Sequence, residues 1–495
     1  MVCDCWKNLS SEKKSFYIFL AAHLVIWTLV SMIRVVMPTD ALEGVYWGSL
    51  HDFGTPKHPP LAGWLTYLAY IPFKKDFCVY LMSQTFILFG FIYIYRLAKN
   101  FLDDNKAMLS VILLEGCWCY SYITGYYGFN PDVILLFMLP AITFYFYNCV
   151  TKDKSTDWIK LGILVGFAFL NKYQTALIIL PMLIWAMWFK RDIFKNVYFY
   201  IAVQLAFLIF LPHLFWLVEH DFYPVLYFNS ELSSSGWLNH ITAPLMFLLM
   251  QIVVISGTLL IYTIMKLKFK SPFKFVENYD KQQFWFLLLI GFVPLIVHLL
   301  MGIFDGGTMR PRWGYEFWFL IGIMLFYFIP TEITQKEFKF TLKSAYVVML
   351  LIFLSLGTLL SVEKNYRSRY PVATVFNDLR SIWNSQFNTE WKYVGGYLEW
   401  SLPITIYGET HPMTLLDNHG YPDPWISQNL LRASGAIIID RTPEGATYYT
   451  ELSCPYYPED EIKPVEYKLT VHNALGMPRE YTVYYVIVPP MSNWR

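Results

Sequence analysis

Apolar residues run along most of this chain in long stretches divided by short polar breaks, and a helix needs about 20 such residues to cross a bilayer. By that measure candidate spans fall at 16–37, 77–98, 107–124, 132–150, 157–171, 174–189, 197–217, 242–265, 283–302, 313–330 and 344–362, about eleven in all. The spans 157–171 and 174–189 come from one apolar run cut by Asn171-Lys172-Tyr173-Gln174. The first stretch is too long for the core of a signal peptide and reads as a retained helix. Between the first two spans, 61–73 predicts a short helix lying in the interface. From about 363 the composition turns soluble-like, and 404–407, Ala436–Ile439 and Tyr481–Val488 alternate as strands do. The expected fold is therefore a membrane all-α polytopic bundle over 1–362, followed by a small extracytoplasmic α/β domain over 363–495.

Charge orients this bundle. Lys7, Lys13 and Lys14, then Arg96, Lys99 and Lys106, then Lys152, Lys154, Lys190, Arg191 and Lys195 fall on one side. The clusters Lys266–Lys274 and Lys336–Lys343 fall there too. The bias of Lys and Arg towards the inside makes that side cytoplasmic. The N-terminus is then cytoplasmic, and an odd span count places the C-terminal domain outside, in the periplasm if this is a bacterial inner membrane protein. Composition agrees: 56% of residues are hydrophobic and only 15% charged, too few to cover a soluble surface. A net charge of +1 provides no field for nucleic acid. Cys3-x-Cys5 lacks metal or redox spacing, and the other cysteines are scattered.

The outward loops carry the candidate chemistry. The densest runs from Asp40 and Glu43 to Lys57 and His58. If 40–47 is helical, the two acids share a face, either as a base with its partner or as an N-cap with a solvated neighbour. The cationic pair would clamp an anion. Lys172, flanked by Tyr173 and Gln174 at the tip of a helical hairpin, is either a phosphate contact or a snorkelling side chain. Arg310 and Arg312 lie beside Gly306-Gly307 and Thr308, against the charge bias, and Arg suits bidentate phosphate binding. Asn130-Pro131 reads as a cap and first turn, with Asp132 behind it as a substrate contact. Glu115 sits inside an apolar span with Cys and Tyr neighbours as partners. His220 and Asp221 open a further outer loop as substrate contacts. A divalent metal between His58 and His220 is the one cofactor considered, and no ligand spacing supports it. There is no phosphate loop, dinucleotide fingerprint or nucleophile elbow, so a donor used on the outer face must arrive in the membrane. A polyprenyl-phosphate sugar meets that need: its phosphate requires cations, and its acceptor hydroxyl requires a carboxylate base.

Asp40-x-x-Glu43-x-x-x-Trp47 followed by Lys57-His58-Pro59-Pro60-Leu61-x-x-Trp64 resembles glycosyltransferase family 39. These are GT-C-fold enzymes related to protein O-mannosyltransferases and lipid A aminoarabinose transferases. Leu170-Asn171-Lys172-Tyr173, Pro212-x-x-x-Trp216 with His220-Asp221, and Arg312-Trp313 extend the resemblance over roughly 16–330. It implies direct inverting transfer from a polyprenyl-phosphate donor to a lipid A, glycan or protein acceptor. Asp40 would be the base with Glu43 as partner, and Lys57, His58, Lys172 and Arg312 would contact the donor phosphate. Many relatives have adjacent Asp and Glu in this loop, whereas here Leu42 precedes Glu43, which leaves the two roles exchangeable. The C-terminal part does not look like the β-trefoil insert of the O-mannosyltransferases. The alternatives are a transporter or flippase of lipid-linked glycans, which usually shows internal repeats absent here, and an inactive scaffold that binds them.

Overall fold

The computed structural model describes residues 6, 8–152, 154–232, 236–307, 309–415 and 425–491; Cys3, Cys5, Lys7 and Thr308 lie outside the described residues. The bundle comprises α1 (Ser11–Ser31), α2 (Thr39–Ser49), α3 (Leu61–Tyr70), α4 (Asp76–Ala98), α5 (Asp104–Ile112), α6 (Tyr122–Tyr127) and α7 (Pro131–Lys152). It continues with α8 (Ser155–Phe169), α9 (Ala176–Phe189), α10 (Val197–Glu219), α11 (Tyr223–Leu232), α12 (Asn239–Lys268), α13 (Lys281–Asp305), α14 (Ile321–Phe328) and α15 (Gln335–Val362).

Among the described residues seven helices (α1, α4, α7, α10, α12, α13 and α15) are long and apolar enough to cross a membrane, and the chain is a multi-pass membrane protein. A bent pair, Asp104–Gly116 with Trp118–Tyr127 at 84°, makes an eighth. Each of the eleven expected segments is at least partly helical, but three more fall short of a full span. The hairpin around Lys172 has a 15-residue helix on one side and the short apolar helix Tyr173–Phe189 on the other. The segment 313–330 begins as a 3-10 turn, Pro311–Leu320, before α14. Hydropathy counts apolar residues and does not see a backbone that changes direction among them.

The 84° bend has identifiable fasteners. Glu115, fully buried at the break, lies 2.7 Å from His23 Nδ1 and accepts the Trp27 indole N–H at 3.0 Å. The Cys and Tyr partners expected for Glu115 are thus replaced by two residues of α1, which only the packing of distant segments brings near. Thr258 Oγ1 donates to the Leu113 carbonyl at 2.8 Å, and Gly116 meets the backbone of Gly257 with no space for a side chain.

After Val362 come α16 (Tyr366–Arg369), α17 (Val372–Gln386), β1 (Tyr393–Gly396), α18 (Leu398–Tyr407), β2 (Met413–Leu415), α19 (Gln428–Ser434), β3 (Ala436–Asp440), α20 (Pro443–Ser453), β4 (Val465–His472) and β5 (Pro478–Val488). The sheet order is β2-β1-β3-β5-β4. β1 is parallel to β2 and β3, and β5 is antiparallel to β3 and β4. The strand expected at 404–407 is wrong: those residues end α18, whose Trp400, Leu402, Ile404 and Ile406 are all buried. A short segment buried all round carries no period that separates helix from strand.

This unit is tied to the bundle where the site is built. The Ser368 carbonyl accepts the N–H groups of Val35 and Val36. Tyr407 Oη accepts from the Met37 N–H at 3.1 Å and donates to Asp76 Oδ2 at 2.9 Å. Tyr46 Oη donates to the Thr414 carbonyl at 3.0 Å. On its other face α2 packs onto α3 through facing glycines. A Cβ on Gly48 would lie 2.2 Å from the Gly63 carbonyl oxygen, so the helices approach as only glycine permits. Gly48→Ala should push α2 off α3 and cost roughly 1–3 kcal/mol, read as a lowered thermal unfolding midpoint in detergent. An unchanged midpoint would mean that the close approach is not needed.

Candidate active site

α2 begins at the Met37-Pro38 turn, and its first turns place Asp40 and Glu43 on one face. Pro38 is the N-cap and no side chain caps the helix, so the capping role is not taken up by Asp40. Instead Arg312 Nη1 lies 3.0 Å from Asp40 Oδ2. Glu43, only 4% exposed, pairs with the Lys57 ammonium, which also sits 5.8 Å above the rings of Trp47 and Tyr227. Lys57 is held by a local turn in which Thr55 Oγ1 accepts the N–H groups of Lys57 and His58 and donates to the His58 carbonyl. Lys172 pairs with Asp132 and stands 3.7 Å from Glu316, a fully buried carboxylate with no hydrogen bond to either oxygen among the described residues. Asn130 caps α7 through the Val133 N–H at 3.1 Å, as expected, and so fixes Asp132 one turn into the helix. Three cations are thus each paired with a carboxylate, and the Glu316 side chain stands behind Lys172. An unpaired buried charge costs several kcal/mol, so each pair holds its partners in place.

Two cavities meet at this cluster. One, of about 330 Å³, has the charged groups at one end and apolar walls that include Leu177, Pro224, Phe228, Met301 and Trp313. The other, of about 580 Å³, lies between the bundle and the C-terminal unit and is walled by Arg34, Tyr126, Tyr127, Arg367, Tyr397 and Glu399. Asp40, Lys57, Tyr227, Arg310 and Arg312 line both. Asp40 is the one carboxylate shared by the two; Glu43 faces only the first.

Residues 57–216 match the sequence family described as dolichyl-phosphate-mannose-protein mannosyltransferase. The match starts at Lys57 and runs to Trp216 in α10, so it includes the Lys57, Asp132 and Lys172 segments. A lipid A galacturonosyltransferase, RgtD of Rhizobium johnstonii, is 27% identical over 201 residues, which is 37% of this chain and 38% of the relative; the alignment spans well under half of that protein. The crystal structure of ArnT from Cupriavidus metallidurans bound to undecaprenyl phosphate superposes with a TM-score of 0.63 at 14% identity, over 95% of this chain and 97% of that one. The chain therefore has the GT-C fold of ArnT, as its first-loop motif implied.

Of the residues singled out in the sequence, Asp40, Glu43, Lys57, His58, Lys172, Tyr173, Gln174, Arg310 and Arg312 converge on the first cavity, with Asp132 behind Lys172. His220 and Asp221 do not line it. His220 stacks on Trp216 at 4.2 Å and its Nδ1 is engaged by the Trp216 carbonyl, while Asp221 occupies an exposed left-handed turn at φ 51°. Among the described residues no group of three or more His, Cys, Asp or Glu side chains is placed to hold a metal. Two residues go unread in the sequence, and a third, Glu316, is expected there only as a pairing partner of Arg310 and Arg312. His213, within the Pro212–Trp216 motif, holds Tyr173 Oη at 2.7 Å and the Phe53 carbonyl at 2.6 Å. His298 lies 3.2 Å from Gln174 Nε2, which also donates to the Trp313 carbonyl. Glu316 backs Lys172. A lone His in an apolar span was the available signal for His298; the stretch 313–330 offered Glu316 in the same way.

Electrostatics separate the members. Burial raises Glu43 above the ordinary carboxylate range, and the opposing pull of Lys57 does not cancel it. For Lys57, burial lowers the value, but the Glu43 carboxylate and Tyr227 outweigh it, so it stays cationic. Arg312 is raised, chiefly by Asp40. His58, expected as a cation beside Lys57, is not one: burial, then Lys172, Lys57 and Arg312, push it down to about 3. Uncharged, its ring can meet an anion only as a neutral hydrogen-bond donor. The unfolded chain takes up a proton at this position below its ordinary value of 6.5 and the folded protein does not, so stability falls as pH drops from 6.5 towards 3. His58→Gln should show a shallower loss of thermal stability over that window than the unaltered protein. Parallel pH profiles would mean that His58 titrates freely.

Proposed function

We propose that this chain is an inverting membrane glycosyltransferase. Its donor is a sugar on a polyprenyl phosphate, and its acceptor hydroxyl belongs to a glycan, lipid or protein on the outer side of the membrane. The observation that carries the reading is Asp40, the one carboxylate facing both an apolar cavity with a cationic end and a polar cavity open to a second substrate. The apolar walls suit the prenyl chain, and Lys172, Arg312 and Arg310 suit the phosphate. The family match and the fold shared with a protein crystallised with undecaprenyl phosphate support the same reading.

In this scheme the acceptor oxygen enters from the polar cavity and Asp40 takes its proton as the oxygen attacks the anomeric carbon from the face opposite the phosphate. The bond from that carbon to the phosphate oxygen breaks, and the electron pair leaves on the lipid phosphate. The geometry favours Asp40 over Glu43 for the base, because Glu43 is turned from the second cavity and occupied by Lys57. Glu43 then keeps Lys57 charged and placed. Arg312 and Lys172 start on Asp40 and Asp132, and a donor phosphate competes for both. Moving Arg312 to the phosphate frees Asp40 as a base, which couples donor binding to activation.

Sidedness is supported by α1. At its first turn Lys13 pairs with Asp104 at 2.9 Å, and Lys99 joins the same carboxylate at 3.1 Å. Arg34, just past its other end and ~30 Å away, lines the polar cavity. The basic clusters and the site thus lie at opposite ends of a spanning helix, as a cytoplasmic N-terminus and an outward site require.

In proteoliposomes supplied with the native donor, Asp40→Asn should lower transfer by about 10²–10⁴-fold. Glu43→Gln should lower it less while the protein still inserts and folds. Full activity in Asp40→Asn would refute the assignment. Lys172→Gln should weaken binding of undecaprenyl phosphate about tenfold, since one charge-assisted contact is lost; unchanged affinity would remove Lys172 from the donor site.

A further inference from the structure

The last four carbonyls of a helix have no partner within it, and at an exposed end water takes them. At the end of α15 protein groups take all four. Leu359 accepts the Glu363 N–H, and Leu360 accepts from Arg369 Nη2 at 2.8 Å. Ser361 accepts the Ala474 N–H at 3.0 Å, and Val362 accepts from Asn473 Nδ2 at 3.1 Å. Ala474 and Asn473 belong to the turn between β4 and β5, so this hairpin tip is the cap of a spanning helix.

The tip is satisfied in the same way. The Asn473 N–H donates to the Met477 carbonyl and the Gly476 N–H to the Asn473 carbonyl. Asn473 Oδ1 accepts from both the Leu475 and the Met477 N–H, at 3.0 and 2.9 Å. Every backbone N–H from Asn473 to Met477 thus has a partner within the protein, and Pro478 has none to offer. The segment Asn473–Pro478 carries no charged side chain. Leu475 and Met477 nevertheless point outward, 66% and 41% exposed.

The position of the tip says what covers them. Val347, Leu351, Leu354 and Thr358 are exposed and recur at alternating steps of four and three, which puts them on one face of α15. Ser361 is the next position in that series, so the hairpin hangs on the lipid-facing side of the helix. Lys343, the last lysine of the basic end, lies ~27 Å below Ser361 along the axis, close to the ~30 Å of a hydrocarbon core. The tip therefore sits where acyl chains give way to headgroups.

We propose that the β4–β5 hairpin tip, Ala474-Leu475-Gly476-Met477, is inserted in the bilayer at the boundary of acyl chains and headgroups, in the leaflet facing the C-terminal unit. Lipid is the occupant that covers Leu475 and Met477. An unsatisfied N–H is expensive in hydrocarbon, which is the reason for a turn that leaves none. The insertion completes the mounting of the sheet. Thr414 in β2, at one edge, is bonded to Tyr46 of the bundle, and the β4 edge is held by α15 and by lipid. The inference requires α15 to span a membrane and is independent of the glycosyltransferase reading.

The test places a nitroxide label at Leu475→Cys in the full chain in phosphatidylcholine nanodiscs. Cys3→Ser, Cys5→Ser and Cys78→Ser leave only buried native cysteines beside it. Collisions of the label with molecular oxygen, which concentrates in lipid, are compared with those of a nickel chelate confined to water. A label at Glu459→Cys, exposed on the same unit, is the aqueous control. The oxygen-to-nickel ratio should be several-fold higher at 475 than at 459. Met477→Cys should read the same, and it carries the test if Leu475→Cys does not fold. Adding Leu475→Asp to the Met477→Cys protein should bring the ratio towards the control, because a carboxylate is driven out of hydrocarbon. A ratio at 475 and 477 equal to the control would overturn the proposal and place the tip in water. A ratio unmoved by Leu475→Asp would also overturn it. Few collisions with either probe would overturn it in favour of a protein cover, and dipolar broadening between labels would identify that cover as a second copy of this chain.

Discussion

The site depends on keeping charge at the end of an apolar bundle. Lys57 and Lys172 are largely buried and Arg312 is partly so, and a lone cation buried there would be expelled or neutralised. Each is stabilised by a carboxylate from a different stretch of chain: Glu43 from α2, Asp132 from α7, Asp40 from α2 again. Every pair is therefore also a cross-link. Arg312 fastens the 3-10 turn before α14 to α2, and Lys172 fastens the tip of the α8–α9 hairpin to α7. The groups that a phosphate would need are the same groups that assemble the walls around it.

That economy has a chemical consequence. The cations are already satisfied within the protein, so an anion binding here would have to exchange for a carboxylate rather than fill an empty hole. The fourth carboxylate, Glu316, lies within reach of Lys172 and lacks a hydrogen bond among the described residues. It stands 3.7 Å from the Lys172 ammonium as a second, more distant acceptor.

The rigid frame behind the cluster is made by close backbone approach and by buried polar ties. Gly48 and Gly63 let α2 and α3 touch, and Glu115 locks the bent pair to α1. The bonds from Ser368, Tyr407 and Thr414 hold the C-terminal unit against the α1–α2 link and α2 itself, and Tyr397, Leu398 and Glu399 share a cavity with Asp40. Precision at Asp40 comes from these ties, because a helix held on both faces does not slide.

Chain order alone determined that this is a multi-pass membrane protein, since long apolar stretches have one stable solvent. It also determined that acids and bases cluster in the loop from Asp40 to His58 and that Lys172 and Arg312 stand apart from the cytoplasmic bias. Local capping at Asn130 was legible too, because it needs only neighbours three residues away. Tertiary structure alone decided the rest. Partner choice across 272 residues, as between Arg312 and Asp40, depends on which helices pack together, and hydropathy carries no such information. His58 changed from cation to neutral donor because the packed walls bury it, and then because Lys172 and Arg312 are brought to it from elsewhere. His220 fell away because its helix turned it onto Trp216. The apparent strand at 404–407 became helix because burial on all sides erases periodicity. Asp40 and Glu43 differ in which cavity each one lines, a property of assembled walls that no single segment contains.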